Sequence, residues 1–171
     1  MLSAHPIPRS KNPSAHPYSP LEIVVSPAVP EDERIWVPQA PNVWFRPLML
    51  NTVVGHWCNL LRVKRAGVVS RHLHPAPVHG YVIKGSWRYL EHEWRATAGS
   101  YVFEPPGETH TLVVDTDDEM ITFFNISGCM YYVDEAGRST GYEDVFTKID
   151  MCRKHYAAVG LGEAYVEQYI R

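Results

Sequence analysis

Two histidines one residue apart, His72 and His74, stand in an extended run, and a third, His110, follows a Pro105-Pro106-Gly107 turn. Alternate residues of a strand point to the same side. Both imidazoles of His72-Leu73-His74 can therefore reach one ion from a single strand, and His110 can join them if the sheet closes on itself. Read alone, such a pair describes two surface histidines on an exposed strand; the third histidine makes metal binding the better reading. Imidazole suits zinc, copper, iron and nickel alike. Three histidines with open positions suit ferrous iron that must hold both an organic ligand and dioxygen, and equally a catalytic zinc with its water.

The elements that must position these residues are short and β-rich. An irregular arm with short strands is expected over residues 1–40. Five prolines fall within its first twenty residues, Leu21 to Val25 is a β-branched run, and Arg34 to Val37 is a strand candidate closed by Pro38. From Val43 the pattern is steadily extended. Runs are predicted over residues 43–50, 56–64, 67–73, 78–84, 87–93, 100–103, 109–114, 120–126 and 130–133. Turn signals such as Lys84-Gly85-Ser86, Ala98-Gly99 and Ser127-Gly128 separate them. Many short strands with no helix between them predict an all-β sandwich or barrel over residues 41–135. Residues 136–171 are read as a helical segment packed on the barrel. Val145, Phe146, Ile149, Cys152 and Tyr156 recur at helical spacing between Tyr142 and Tyr156, and Gly160 and Gly162 end the run.

Composition bounds the function. A chain of 171 residues supports one domain with a real core. A formal net charge of −3 and the lack of a basic stripe argue against nucleic acid as a partner. No apolar stretch approaches the ~20 residues needed to cross a bilayer, and the start Met1-Leu-Ser-Ala-His-Pro has no secretory pattern. Three scattered cysteines imply no disulfide framework, so a soluble cytoplasmic protein is expected. Five Trp, ten Tyr and five Phe supply large, stiff side chains, mostly for core and in part for a cavity wall or subunit interface.

The order and separation of the motifs resemble the paired metal motifs of the cupin superfamily. The first runs from Gly67 through His72-x-His74 to Gly85. The second, Gly99-Ser-Tyr-Val-Phe-Glu-Pro105-Pro-Gly107-Glu-Thr-His110, matches residue for residue through its histidine. The resemblance implies a single cupin jelly-roll barrel with His72, His74 and His110 as metal ligands. It also exposes a departure, because the place of the usual first-motif glutamate is held by Val78 or His79. A three-histidine site is therefore expected, with His79 as a fourth ligand or pocket wall. The stretch from Arg71-His-Leu-His-Pro-Ala-Pro-Val-His-Gly-Tyr to Trp87-Arg-Tyr is similar to the small cupins that include 2,4′-dihydroxyacetophenone dioxygenase. It is more distantly similar to the cupin part of ChrR-type anti-sigma factors and to three-histidine β-diketone dioxygenases. What this resemblance implies is an Fe(2+) dioxygenase, with Zn(2+) as the alternative ion. The enzyme would cleave the carbon–carbon bond of an aromatic α-hydroxyketone, incorporating both oxygen atoms without an external reductant and giving 4-hydroxybenzoate and formate. Partners are then the small ketone and O2, in a homodimer or homotetramer. The other readings are a β-diketone dioxygenase and a zinc-holding regulatory module. Glu104, at the strand end before Pro105, is the first candidate base and His79 the second. Tyr81, Trp87, Tyr89, Tyr101 and Phe103 flank the metal strands as candidate substrate-binding residues.

Overall fold

The computed structural model describes residues 8–171. The part of the arm before Pro8, expected to be irregular, lies outside the described residues. Over Leu21 to Val25 no strand forms. The carbonyls of Leu21 and Glu22 accept instead from the Arg171 guanidinium, at 2.8 and 3.2 Å, so this segment is satisfied by the C-terminal residue and not by a ladder. The Arg34 to Val37 expectation is also corrected: Glu33–Ile35 is a 3-10 turn capped by the Asp32 carboxylate.

Among the described residues, twelve strands make up the barrel: β1 Val37–Ala40, β2 Val43–Asn51, β3 His56–Val63, β4 Gly67–Leu73, β5 Val78–Lys84, β6 Ser86–Tyr89, β7 Ala96–Thr97, β8 Tyr101–Glu104, β9 Thr109–Val114, β10 Met120–Ser127, β11 Cys129–Val133 and β12 Ser139–Asp144. They form two antiparallel sheets, β1-β2-β3-β10-β5-β8 and β12-β11-β4-β9-β6-β7. The all-β expectation is met. Pro38 sits within β1, which the sequence reading ended there. The strand pairs only with β2, so an edge position tolerates the missing N–H. Gly85 turns β5 into β6 with φ 72°, and a Cβ there would lie 2.6 Å from the Glu119 carbonyl oxygen, so only glycine fits.

The core fills the space between the sheets. Phe45, Leu50, Trp57, Val82, Trp87 and Met120 are wholly buried in it. Each such side chain contributes on the order of 2–3 kcal/mol by leaving water.

The helix α1, Val145–Ala158, starts later than its periodicity predicted, because Ser139–Asp144 is taken into β12 beside β11. Asp144 caps it: its carboxylate accepts from the Thr147 amide, while the Thr147 hydroxyl accepts from the Asp144 amide. Val145, Lys148, Cys152 and Tyr156 form its buried face, and Phe146 is exposed. The helix packs against β1, β2 and β12, closing the corner where the free edges of the two sheets approach. No helix is long and apolar enough to cross a membrane among the described residues.

Candidate metal centre

Strand pairing assembles the site. His72 on β4 faces His110 on β9 as a direct cross-strand partner. His74 follows β4 by one residue with its side on the same face. The second turn is tied to the first motif, because the Gly107 amide donates to the His74 carbonyl at 2.8 Å. The imidazole centroids lie 4.8 Å (His72 to His74), 4.7 Å (His72 to His110) and 5.6 Å (His74 to His110) apart.

A carboxylate completes the group. Glu104 closes β8, which pairs with β5 so that Glu104 lies opposite Val78. Its Oε2 is 3.6 Å from Nε2 of both His74 and His110. One donor atom from each of His72, His74, Glu104 and His110 falls within 4.8 Å of all the others. The expectation of a site without a carboxylate is thereby corrected at the level of geometry. The glutamate missing from β5 at Val78 is supplied by the adjacent strand at the same level.

All four residues are buried, and burial sets their protonation. It pushes the imidazoles down from their ordinary value of 6.5, His72 to about 4, His74 to about 2 and His110 to about 3. The histidines also depress one another, and all three are neutral lone-pair donors at neutral pH. Burial pushes Glu104 up to about 7. Both of its oxygens, both ring nitrogens of His110 and Nδ1 of His74 have no hydrogen-bond partner. Buried polar atoms without partners are rare because each carries its full desolvation penalty. A divalent cation shared by the four donors removes that penalty, so the residues fit a metal. His72 is oriented for it by Ser70, whose Oγ holds Nδ1 at 2.9 Å and leaves Nε2 free. Tyr89 stacks flat on His110, with centroids 3.7 Å apart and planes 9° from parallel. On the outer side of these strands Glu91 accepts from the Thr111 amide and hydroxyl, at 2.7 and 2.8 Å, and from Arg71 at 2.9 Å, clamping the residues next to His72 and His110.

A cavity of about 480 Å³, its mouth included, lies beside the donors between the sheets. Leu61, Val69, Leu112, Phe124, Ile126 and Met130 give it aliphatic and aromatic walls. The wall also carries polar side chains, Asn59, Gln39, Glu143 and Lys148. There the Lys148 ammonium sits 2.6 Å from Glu143 and donates to Gln39 at 2.9 Å.

Of the five aromatic candidates, Tyr89 lines this cavity, and Trp87 is buried behind it with centroids 5.1 Å apart. Tyr81, Tyr101 and Phe103 are exposed, 49%, 63% and 53%, on the outer face of β5 and β8. His79 shares that face, bonded to the Tyr101 hydroxyl at 2.8 Å. The cause is strand parity: Val78, Gly80 and Val82 point inward, so His79 and Tyr81 point out. His79 is not brought to the donors, as ligand or as base. Glu104, expected as a base at the strand end before Pro105, stands inside the donor set itself. Sequence reasoning missed Asn59, Gln39, Glu143 and Lys148. The available signal was Lys148 standing on the apolar stripe of α1 with Val145, Cys152 and Tyr156.

Comparison with known proteins places this architecture. The sequence matches the ChrR cupin-like domain family over residues 26–130. The chain belongs to this family of cupins. A crystal structure of an RmlC-like cupin protein from Ralstonia eutropha JMP134 is 32% identical, with a TM-score of 0.69 over 73% of this chain and 83% of that one. A second cupin-like protein from the same organism is 24% identical, with a TM-score of 0.66 over 70% and 75% of the two chains. An acetylacetone dioxygenase from Acinetobacter johnsonii shares the fold at 17% identity, with a TM-score of 0.63 over 82% and 97%. No curated protein matches the sequence. The matched cupin region contains all four donors and ends at residue 130, before β12 and α1. The cupin's Glu143 and Lys148 thus come from outside it.

Proposed function

We propose that this cupin is a non-haem iron dioxygenase that cleaves the carbon–carbon bond of an aromatic α-hydroxyketone, in the manner 2,4′-dihydroxyacetophenone + O2 to 4-hydroxybenzoate + formate. The observation that carries the reading is a buried group of three neutral imidazoles and one carboxylate, all within 4.8 Å, beside a cavity with largely aliphatic and aromatic walls. Divalent iron held by His72, His74, His110 and Glu104 would supply Lewis acidity toward a carbonyl oxygen and a place for dioxygen. The three histidines give lone pairs without charge, and Glu104 offsets one unit of the ion's charge. Ser70 and Tyr89 hold the rings of His72 and His110 in place. Leu61, Val69, Leu112 and Ile126 keep water from the reacting end and accept an aromatic ring. The base role expected of Glu104 gives way, in this reading, to a donor role. The dioxygenase sharing the fold supports oxygen chemistry on such a barrel and does not fix the ketone.

A second reading, a zinc-holding regulatory module without turnover, is favoured by one observation: three imidazoles and a carboxylate can close a tetrahedral zinc site. One experiment separates the two. The chain is purified anaerobically, loaded with Fe(2+) or Zn(2+), and followed for oxygen uptake with 2,4′-dihydroxyacetophenone. Uptake matched one to one by formate, with iron alone, is the expected result. Tight zinc retention with no uptake under either metal would overturn the dioxygenase in favour of the module.

A further inference from the structure

A second cleft lies on the other side of the first sheet, and it holds a cation that the chain leaves unanswered. Phe45 of β2 points into the core, so Arg46 points to the outer face, where it sits opposite Leu60. The segment before β1 and the 3-10 helix Glu163–Tyr169 line a cleft with it, about 850 Å³ with its open mouth included. None of the residues lining this cleft borders the cavity beside the metal donors.

Arg46 is 4% exposed. Its Nε is sealed from solvent without a partner, and its Nη1 donates to the Pro47 carbonyl at 3.1 Å. Nη2 makes no hydrogen bond among the described residues and is not sealed, so it is the nitrogen that the side chain presents to the cleft. Tyrosines surround the guanidinium where carboxylates would be expected: the Tyr169 ring lies 5.6 Å from its carbon, with Tyr156 and Tyr165 nearby. Burial pushes its pKa below the ordinary arginine value. Arg62 on the neighbouring strand β3 shows the usual arrangement. It is buried to the same degree, 3% exposed, and forks onto the Glu33 carboxylate at 2.8 and 2.9 Å. A buried guanidinium without such a partner carries its desolvation penalty uncompensated.

We propose that this cleft is a binding site for an organic monocarboxylate. Arg46 Nη2 donates to the carboxylate, and the apolar body of the ligand rests on Val25, Pro27, Ile35 and the rings of Tyr165 and Tyr169. A single negative charge suits the cleft better than a double one, because Glu31 and Asp32 stand on the same wall. Asp32 is already taken up by Arg34 at 2.8 Å, and Glu31 is exposed to solvent. A neutral ligand leaves the guanidinium as it is.

The test is calorimetric titration of the 171-residue chain with benzoate, its uncharged counterpart benzamide, and inorganic phosphate. Benzoate is expected to bind at least about tenfold more tightly than either, the size of one charge-assisted hydrogen bond. Arg46→Leu should lower benzoate affinity by at least about tenfold, with its circular dichroism unchanged. In crystals of the wild-type chain soaked with 4-bromobenzoate, anomalous scattering should place bromine in the cleft beside Arg46. Benzoate that binds no better than benzamide, phosphate that binds as tightly as benzoate, or an Arg46→Leu chain that binds benzoate as wild type does would each overturn the proposal. Bromine found only at the histidine–glutamate group overturns it as well, and that result needs no variant to fold. The metal reading stands or falls separately, because the cleft and the cavity share no lining residue.

Discussion

The cavity wall holds two buried carboxylates in opposite conditions. Glu143 is 6% exposed and answered by the Lys148 ammonium at 2.6 Å. Glu104 is 3% exposed, touches no cation, and stands among imidazoles that burial keeps neutral. A protein interior tolerates the first arrangement as it is, and the second only with a proton or a metal ion. The difference separates a carboxylate answered by the chain from one answered by something the chain binds.

The sharpest break in that comparison comes at the donors. His72→Ala, His74→Ala or His110→Ala should abolish retention of one metal equivalent through dialysis, and Glu104→Gln should weaken metal affinity by at least about a hundredfold. His79→Ala, on the outer face, should leave metal content unchanged. Elemental analysis decides, and a Glu104→Gln chain that holds metal as wild type does removes Glu104 from the set.

At the Glu143–Lys148 pair the effect is on folding. Lys148→Met strands the Glu143 carboxylate and should lower stability by about 3–5 kcal/mol in urea unfolding, with metal content intact. Adding Glu143→Leu should restore most of the loss. A double variant no better than the single one would show that Lys148 acts through packing, for instance on the Phe45 ring 4.1 Å away, and not through the charge pair.

Acid should act on the donor pole. In metal-free protein the three histidines titrate near 2 to 4, whereas in the unfolded chain they titrate near 6.5. Below 6.5 the unfolded state therefore binds more protons and stability falls. Glu104, raised to about 7 from 4.5, opposes this with one proton taken up by the folded state. Three protons against one leave a net uptake on unfolding of roughly two near pH 5. The urea midpoint of metal-free protein should drop steadily from pH 6.5 to 4.5; a flat profile would mean that the histidines are not buried as neutral groups.

The smallest effect is expected at Ser70. Ser70→Ala frees the His72 ring without removing a donor and should weaken metal binding roughly tenfold, read by competition with a chelator. No change would show that packing alone orients His72.

Much of this site was legible because it is local. The alternation His72-x-His74 and the turn before His110 state a shared face within a few residues, and the short extended runs state the barrel. What stayed hidden is non-local or depends on parity. Nothing along the chain says that β8 pairs with β5 in the register that sets Glu104 opposite Val78. In Val78-His-Gly-Tyr-Val-Ile83 both faces carry large apolar residues, so the pattern does not reveal that Tyr81 points out. Polar residues in Ser139–Asp144 hide a strand that is held by β11 on one side only. Lys148 has no local signature beyond its place on an apolar stripe.

The lateral origin of the fourth donor has a consequence for assembly. Should β8 slip by one residue against β5, Glu104 would turn to solvent and the Phe103 ring would swing inward. Ion uptake then reports more than occupancy: it certifies that the two sheets have closed in register, and an ion present during refolding would trap the correctly zipped barrel over its shifted competitors.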